Sequence, residues 1–159
     1  DADVFYVTST HRSVGGNAIL HAATLRPWGP WPVAWPHDGL QHDKGSGDQL
    51  AEQYREQGLD MLFEHATHES GGNGVEAGIS EMDELMQTHR FYVFSNNPHW
   101  FNEYRLYHRK DGRIVKLTDD LLSATRYALM MKRFAITGIR SSKPLSAPSN
   151  NRPNAWMGG

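Results

Sequence analysis

The sequence predicts an α/β domain with a partly parallel sheet, on three observations. Runs of β-branched and aromatic residues recur at residues 4–10 (VFYVTST), 32–35 (PVAW), 59–63 (LDMLF) and 91–94 (FYVF), the composition that suits a pleated, half-buried surface. Between them lie segments whose apolar residues repeat at helical spacing. Strands alternating with helices in this way build βα units. Finally, 159 residues hold one domain with a proper core and are few for two.

The composition narrows the function classes. With 38% hydrophobic and 21% charged residues the chain reads as globular rather than disordered. No apolar run reaches the length of a membrane span and no signal-peptide pattern opens the chain, so no membrane partner is expected. The absence of cysteine excludes disulfides, thiolate metal sites and cysteine nucleophiles. A net charge of −2 argues against a generally cationic nucleic-acid coat, yet leaves room for a local basic surface. The chain opens at Asp1 rather than Met and enters a strand pattern almost at once, which implies a fragment with elements upstream.

In chain order, Asn17 is expected to cap a helix over residues 18–25, with Ile19, Ala22, Ala23 and Leu25 on its apolar side. Trp28, Trp31 and Trp35 crowd the following turn and strand, as large aromatics at a domain corner do. Ser46 and Gly58 bracket a helix over residues 46–57. A polar loop over residues 65–73 leads to a helix over 75–88, whose Val75, Ile79, Met82 and Met86 keep helical spacing. Ser95 or Asn97 caps a helix carrying Trp100, Phe101, Tyr104 and Tyr107. Asp111-Gly112 sits between two extended arms, a hairpin signal. Thr118 is expected to cap the last helix, which runs to about residue 134. Residues 138–159, rich in Ser, Pro, Asn and Gly, read as a flexible C-terminal tail after a domain over residues 1–137.

Four groups of residues bear on chemistry. Asp38 ends a strand, where α/β sheets bind ligands, and Asp119 and Asp120 begin the terminal helix. Hard cations such as Mg²⁺ and Mn²⁺ take carboxylates together with water and phosphate. The same acids also complement a helix dipole with no functional cause. His37, His42, His65 and His68 match no tight zinc signature and read as surface or supporting groups. Lys44-Gly45-Ser46-Gly47 lacks the full phosphate-loop pattern, although backbone N–H groups at a helix start suit an anion. Arg105, His108, Arg109, Lys110, Arg113 and Lys116 bracket the Asp111-Gly112 turn. Such a hairpin suits a phosphate backbone, or simply protects a sheet edge with charge.

Three stretches, VAWPHDGLQHDKGSGDQLAEQYREQGL, NGVEAGISEM and RLYHRKDGRIVKLTDDLLSATRYALMMKRFAI, together resemble the C-terminal nuclease domain of tailed-phage terminase large subunits, the DNA-packaging motor proteins. The resemblance runs in order from Val4 to Ile136. It implies an RNase H-like mixed sheet flanked by helices, with catalytic acids on the first strand, after the fourth strand and at the start of the last helix. Asp38 matches the second acid and the Asp119-Asp120 pair the third, with Asp120 preferred as the metal ligand. Residues 4–10 match the third strand, so the first two strands and their acid are expected upstream of Asp1.

By the same resemblance the activity is metal-dependent endonucleolytic cutting of concatemeric viral DNA, using Mg²⁺ or Mn²⁺ in a two-metal site. Arg109, Lys110, Arg113 and Lys116 are expected to hold double-stranded DNA, and Asp43 and Lys44 to support the site. Terminase small subunit and portal protein are the implied protein partners, and the host cell cytoplasm the implied location. The fragment itself is expected to be weak or inactive without its upstream acid. The alternative is a non-catalytic DNA-binding or motor- and portal-docking module on a nuclease scaffold.

Overall fold

A computed structural model of the chain describes residues 3–42, 49–115 and 118–135. Among the described residues, six short strands and five helices follow one another: β1 (Phe5–Val7), α1 (Ala18–Leu25), β2 (Pro32–Val33), α2 (Leu50–Glu56), β3 (Asp60–Met61), α3 (Val75–Gln87), β4 (Phe91–Val93), α4 (Pro98–Leu106), β5 (Arg109–Lys110), β6 (Arg113–Ile114) and α5 (Asp120–Met130). Short 3-10 turns follow α1, β2 and α5. Among the described residues the strands pair two by two: β1 with β4 and β2 with β3 in parallel, β5 with β6 antiparallel. The partly parallel character expected from the sequence is therefore present, in separate pieces.

The main core lies where α3, α4 and α5 cover one face of the β1–β4 pair. Met82, Leu85, Phe91, Trp100, Leu121, Leu122 and Leu129 form one buried cluster, with Phe5, Val7 and Val93 packed against it. Alternation along the strands explains the division of labour: Phe5, Val7, Phe91 and Val93 face in, whereas Tyr6, Tyr92 and Phe94 face out and pack on one another. Trp100 is 2% exposed, and its indole N–H donates to Thr125 Oγ1 at 3.0 Å, so the largest core side chain leaves no unpaired donor. Gly78 permits close approach of α3 and α5, since a Cβ there would come within 2.6 Å of Arg126 Cγ.

Local chemistry explains several boundaries. Asn17 accepts from the Leu20 amide at 3.0 Å, the expected cap of α1. The buried side of α1 is Ala18 and Ala22, however, while Ile19 and Leu20 are exposed. The predicted Ser46 cap lies outside the described residues, and Gln49 precedes the first turn of α2. Asn97 occupies the position before α4 but its side chain caps nothing. Its amide instead donates to the carbonyls of Phe94 (3.0 Å), Val7 (3.3 Å) and Thr8 (3.4 Å), tying the ends of β1 and β4 together in the interior.

Replacing Asn97 by Ala should remove the bonds its amide makes to Phe94, Val7 and Thr8 and lower the unfolding free energy by about 0.5–1.5 kcal/mol, read from urea denaturation. A wild-type midpoint would show that water replaces the side chain without cost.

Candidate active site

An open cleft of about 630 Å³ is lined by Tyr6 and Val7 of β1, Val33 of β2 and the Leu121–Ala128 side of α5. Asp38 lines it too, from the 3-10 turn His37–Leu40 that follows β2, and its side chain is exposed. Trp35 anchors that turn: it is buried, and its indole N–H donates to the Leu62 carbonyl at 2.7 Å. Gly39 lets the turn close over the indole, because a Cβ there would lie 2.6 Å from Trp35 Cε3. Asp38 thus does not end the strand, as its place after the apolar run suggests: β2 stops at Val33, and Asp38 sits in the turn that Trp35 anchors.

The entrance to α5 departs from expectation. Thr118, expected as the cap, lies one residue too early and has a positive φ of 51°. The N-cap position belongs to Asp119, whose carboxylate makes no capping bond and accepts from Ser123 Oγ at 3.2 Å. The first amides of the helix are satisfied from another element. Glu103 Oε2 on α4 accepts from Leu121 N at 2.8 Å and Leu122 N at 3.2 Å. Glu103 is only 3% exposed, and burial pushes its carboxyl up from the ordinary range, opposed by those two amides and by Arg12.

Asp120 projects the other way, with 70% of its side chain exposed. Arg12, beyond the end of β1, donates from Nε to Asp120 Oδ2 at 3.2 Å and stands 3.9 Å from Glu103 Oε1. That Oε1 is buried and has no hydrogen-bond partner. Two carboxylates therefore share one resident cation. The sequence marks Asp120 by its place at a helix start, but nothing in it marks Glu103, which reads as an ordinary polar position on α4.

Histidines furnish the rest of the neighbourhood. His21 Nδ1 lies 2.9 Å from Tyr54 Oη, and His11 meets the His21 ring edge-on, all three lining the cleft. Burial raises the Tyr54 phenol above its usual pKa. His65 packs edge-on against both Trp35 and His37, and His68 Nε2 lies 3.0 Å from the Gly74 carbonyl. Among the described residues no three His, Cys, Asp or Glu side chains gather as a metal-holding group. Asp38 and Asp120 are still hard oxygen donors of the kind Mg²⁺ takes one or two at a time. The orphaned Glu103 oxygen adds negative character beside Asp120. By donor chemistry these residues fit such an ion.

The hairpin forms as expected, with Arg109 opposite Ile114 and Lys110 opposite Arg113. Asp111 (φ 50°) and Gly112 (φ 73°) both take the left-handed region that a two-residue turn of this kind requires. Arg109 is engaged at both ends of its guanidinium by the Glu76 carboxylate of α3, at 2.9 Å for Nη1 to Oε1. Burial raises the phenol of Tyr107, just before the hairpin, above its usual pKa, and the charge of Asp119 adds to the rise. Lys110 is exposed. Asp43, Lys44, Lys116 and the Arg113 side chain lie outside the described residues.

The model of the terminase RNaseH-like domain family matches residues 1–132. The chain belongs to this family. It is 48% identical to the large terminase subunit of Salmonella phage P22 over 157 residues, covering 96% of this chain and 32% of that protein. It is 49% identical to the large terminase subunit of Enterobacteria phage LP7 over 134 residues, covering 83% and 28%. This terminase domain thus spans about a third of the length of those relatives. A solved structure of the P22 large terminase nuclease domain superposes with a TM-score of 0.77 at 50% identity, covering 84% of this chain and 70% of that one. The fold is RNase H-like, as the resemblance implied.

Bonding to Arg109 holds the Glu76 carboxyl below its ordinary value of 4.5. The contact therefore stabilises the terminase domain above that value and is lost as pH falls through the lowered one. The Glu76 side-chain carbon, followed by NMR, should titrate below the ordinary range and return to it in Arg109→Ala. An unchanged midpoint in the variant would remove Arg109 as the cause.

Proposed function

We propose that this domain is the metal-dependent endonuclease of a viral DNA-packaging terminase, cutting concatemeric double-stranded DNA in the host cell cytoplasm. What carries this is the match to a solved terminase nuclease domain, together with Asp38 and α5 facing one cleft. Asp38 and Asp120 are the carboxylates that would hold Mg²⁺ or Mn²⁺, with Asp119 auxiliary because its carboxylate already accepts from Ser123. Two such ions supply activation of water and relief of charge on the scissile phosphate. The chain's own part is to hold its carboxylates on rigid supports: Asp38 on a turn pinned by Trp35, Asp120 on a helix entrance pinned by Glu103. A third carboxylate is expected from residues outside this chain, so the chain alone should cut weakly or not at all.

Arg109, Lys110, Arg113 and Lys116 are assigned to the phosphate backbone, and Asp43 and Lys44 to support of the site. Small subunit and portal protein are the proposed protein partners. No helix among the described residues is long and apolar enough to cross a membrane. The alternative function is a DNA-binding or motor- and portal-docking module without cleavage, on the same nuclease scaffold.

Nicking of supercoiled plasmid with Mn²⁺ separates the two. In the protein extended upstream, Asp38→Asn and Asp120→Asn should each lower the rate about 100-fold or more, the worth of several kcal/mol of charge stabilisation. Binding without cleavage by the extended protein would favour the module. Efficient nicking by the 159-residue chain, abolished by Asp38→Ala, would overturn the proposed dependence on a third carboxylate.

Glu76→Gln should free Arg109 and strengthen duplex binding at low salt, steepening the salt dependence by about one phosphate contact. No change in slope would remove Arg109 from the DNA-holding set.

A further inference from the structure

We infer that Glu103 is a positioning residue for Asp120, fixing where the α5 entrance points its carboxylate; this rests on the proposed role of Asp120 as a metal ligand. Three observations converge on it. Glu103 is buried on α4, yet its Oε2 accepts from both Leu121 and Leu122, the two residues that follow Asp120. Neither neighbouring acid does that work: Asp119 makes no capping bond, and Asp120 points to solvent. Arg12 links the two acids, 3.2 Å from Asp120 and 3.9 Å from Glu103.

The physical consequence concerns direction more than affinity. A helix start held by its own N-cap is free to tilt with its loop. Here the first turn is clamped to a second helix by two amide bonds to one carboxylate, inside the core where competing water is scarce. Rotation of that turn swings Asp120, the residue just ahead of the clamp. Groups that orient a metal ligand without touching the metal typically alter affinity 10- to 100-fold when lost. Stability and metal binding at Asp120 should therefore fall together in some Glu103 variants, and metal binding should follow the amide bonds rather than the charge.

The test uses the 159-residue chain with Mn²⁺ alone, read by paramagnetic broadening of backbone amides around Asp120 and by calorimetry. Amide hydrogen exchange at Leu121 and Leu122 is followed in parallel. Glu103→Ala, and Glu103→Asp with its shorter reach, should weaken Mn²⁺ binding about tenfold and speed exchange at both amides. Glu103→Gln keeps an oxygen that accepts both N–H groups and should stay within about twofold of wild type. If Glu103→Ala fails to fold, Glu103→Asp decides. Wild-type Mn²⁺ affinity in folded Ala or Asp variants, with Asp120→Asn still weakening it, would make Glu103 a purely structural cap and overturn the inference while leaving Asp120 a ligand. A Gln variant as weak as Ala would show that charge, and not the clamp, is what matters, and would overturn it as well. Unchanged binding in Asp120→Asn would instead remove the ligand role of Asp120, and the inference with it.

Discussion

A helix that starts against a protein core leaves its first amides in need of acceptors. In α5 that need is met by a carboxylate from another helix. Glu103 carries a burial penalty that pushes its carboxyl up, and two amide bonds plus the nearby Arg12 offset it. Much of the surrounding structure is built on this contact. It docks α4 to α5, brings Leu121 and Leu122 into the cluster with Trp100 and Leu129, and leaves Asp120 at the surface beside the cleft. Trp100, one turn before Glu103 on α4, bonds to Thr125, one turn after Leu121 on α5. The two helices are thus joined twice along their length.

The other acid of the proposed site is held by different means. Asp38 is exposed, and what is fixed is the turn beneath it. Trp35 fills the space under Gly39, bonds to Leu62 beside β3 and is followed by the Trp35 carbonyl accepting from Ala66 at 2.7 Å. One carboxylate thus depends on an aromatic anchor and the other on a buried charge. Loss of the first support should be a packing defect, and loss of the second an electrostatic one.

Features set by neighbours in sequence were legible from the residues. Asn17 caps α1 because a side-chain oxygen reaches an amide three residues on, and Asp111-Gly112 turns the hairpin because both residues accept positive φ. The family resemblance is what singles out Asp38 and the Asp119-Asp120 pair as the candidate acids. What stayed hidden depends on tertiary partners. Glu103 and Asn97 look like surface and cap residues, yet both are buried and bonded across elements. Of the apolar side expected for α1, Ala22 is buried as expected, but Ile19 and Ala23 are exposed and Ala18 is buried in their place. Thr118 has cap chemistry but the wrong backbone, since an N-cap takes extended φ and ψ and Thr118 is left-handed.

Charge counting misleads for the same reason. The basic hairpin reads as a row of free cations, but Arg109 is already bonded to Glu76, just as Arg12 is to Asp120 and Arg133 to Glu64. A net charge of −2 is realised here partly as local pairs. These pairs are exposed or half-exposed, so water screens them and they add little to stability. What they set is where each guanidinium waits: Arg109 is held against α3 and Arg12 at the entrance to α5, each by a carboxylate, so that counting cations along the sequence overstates the charge these elements present.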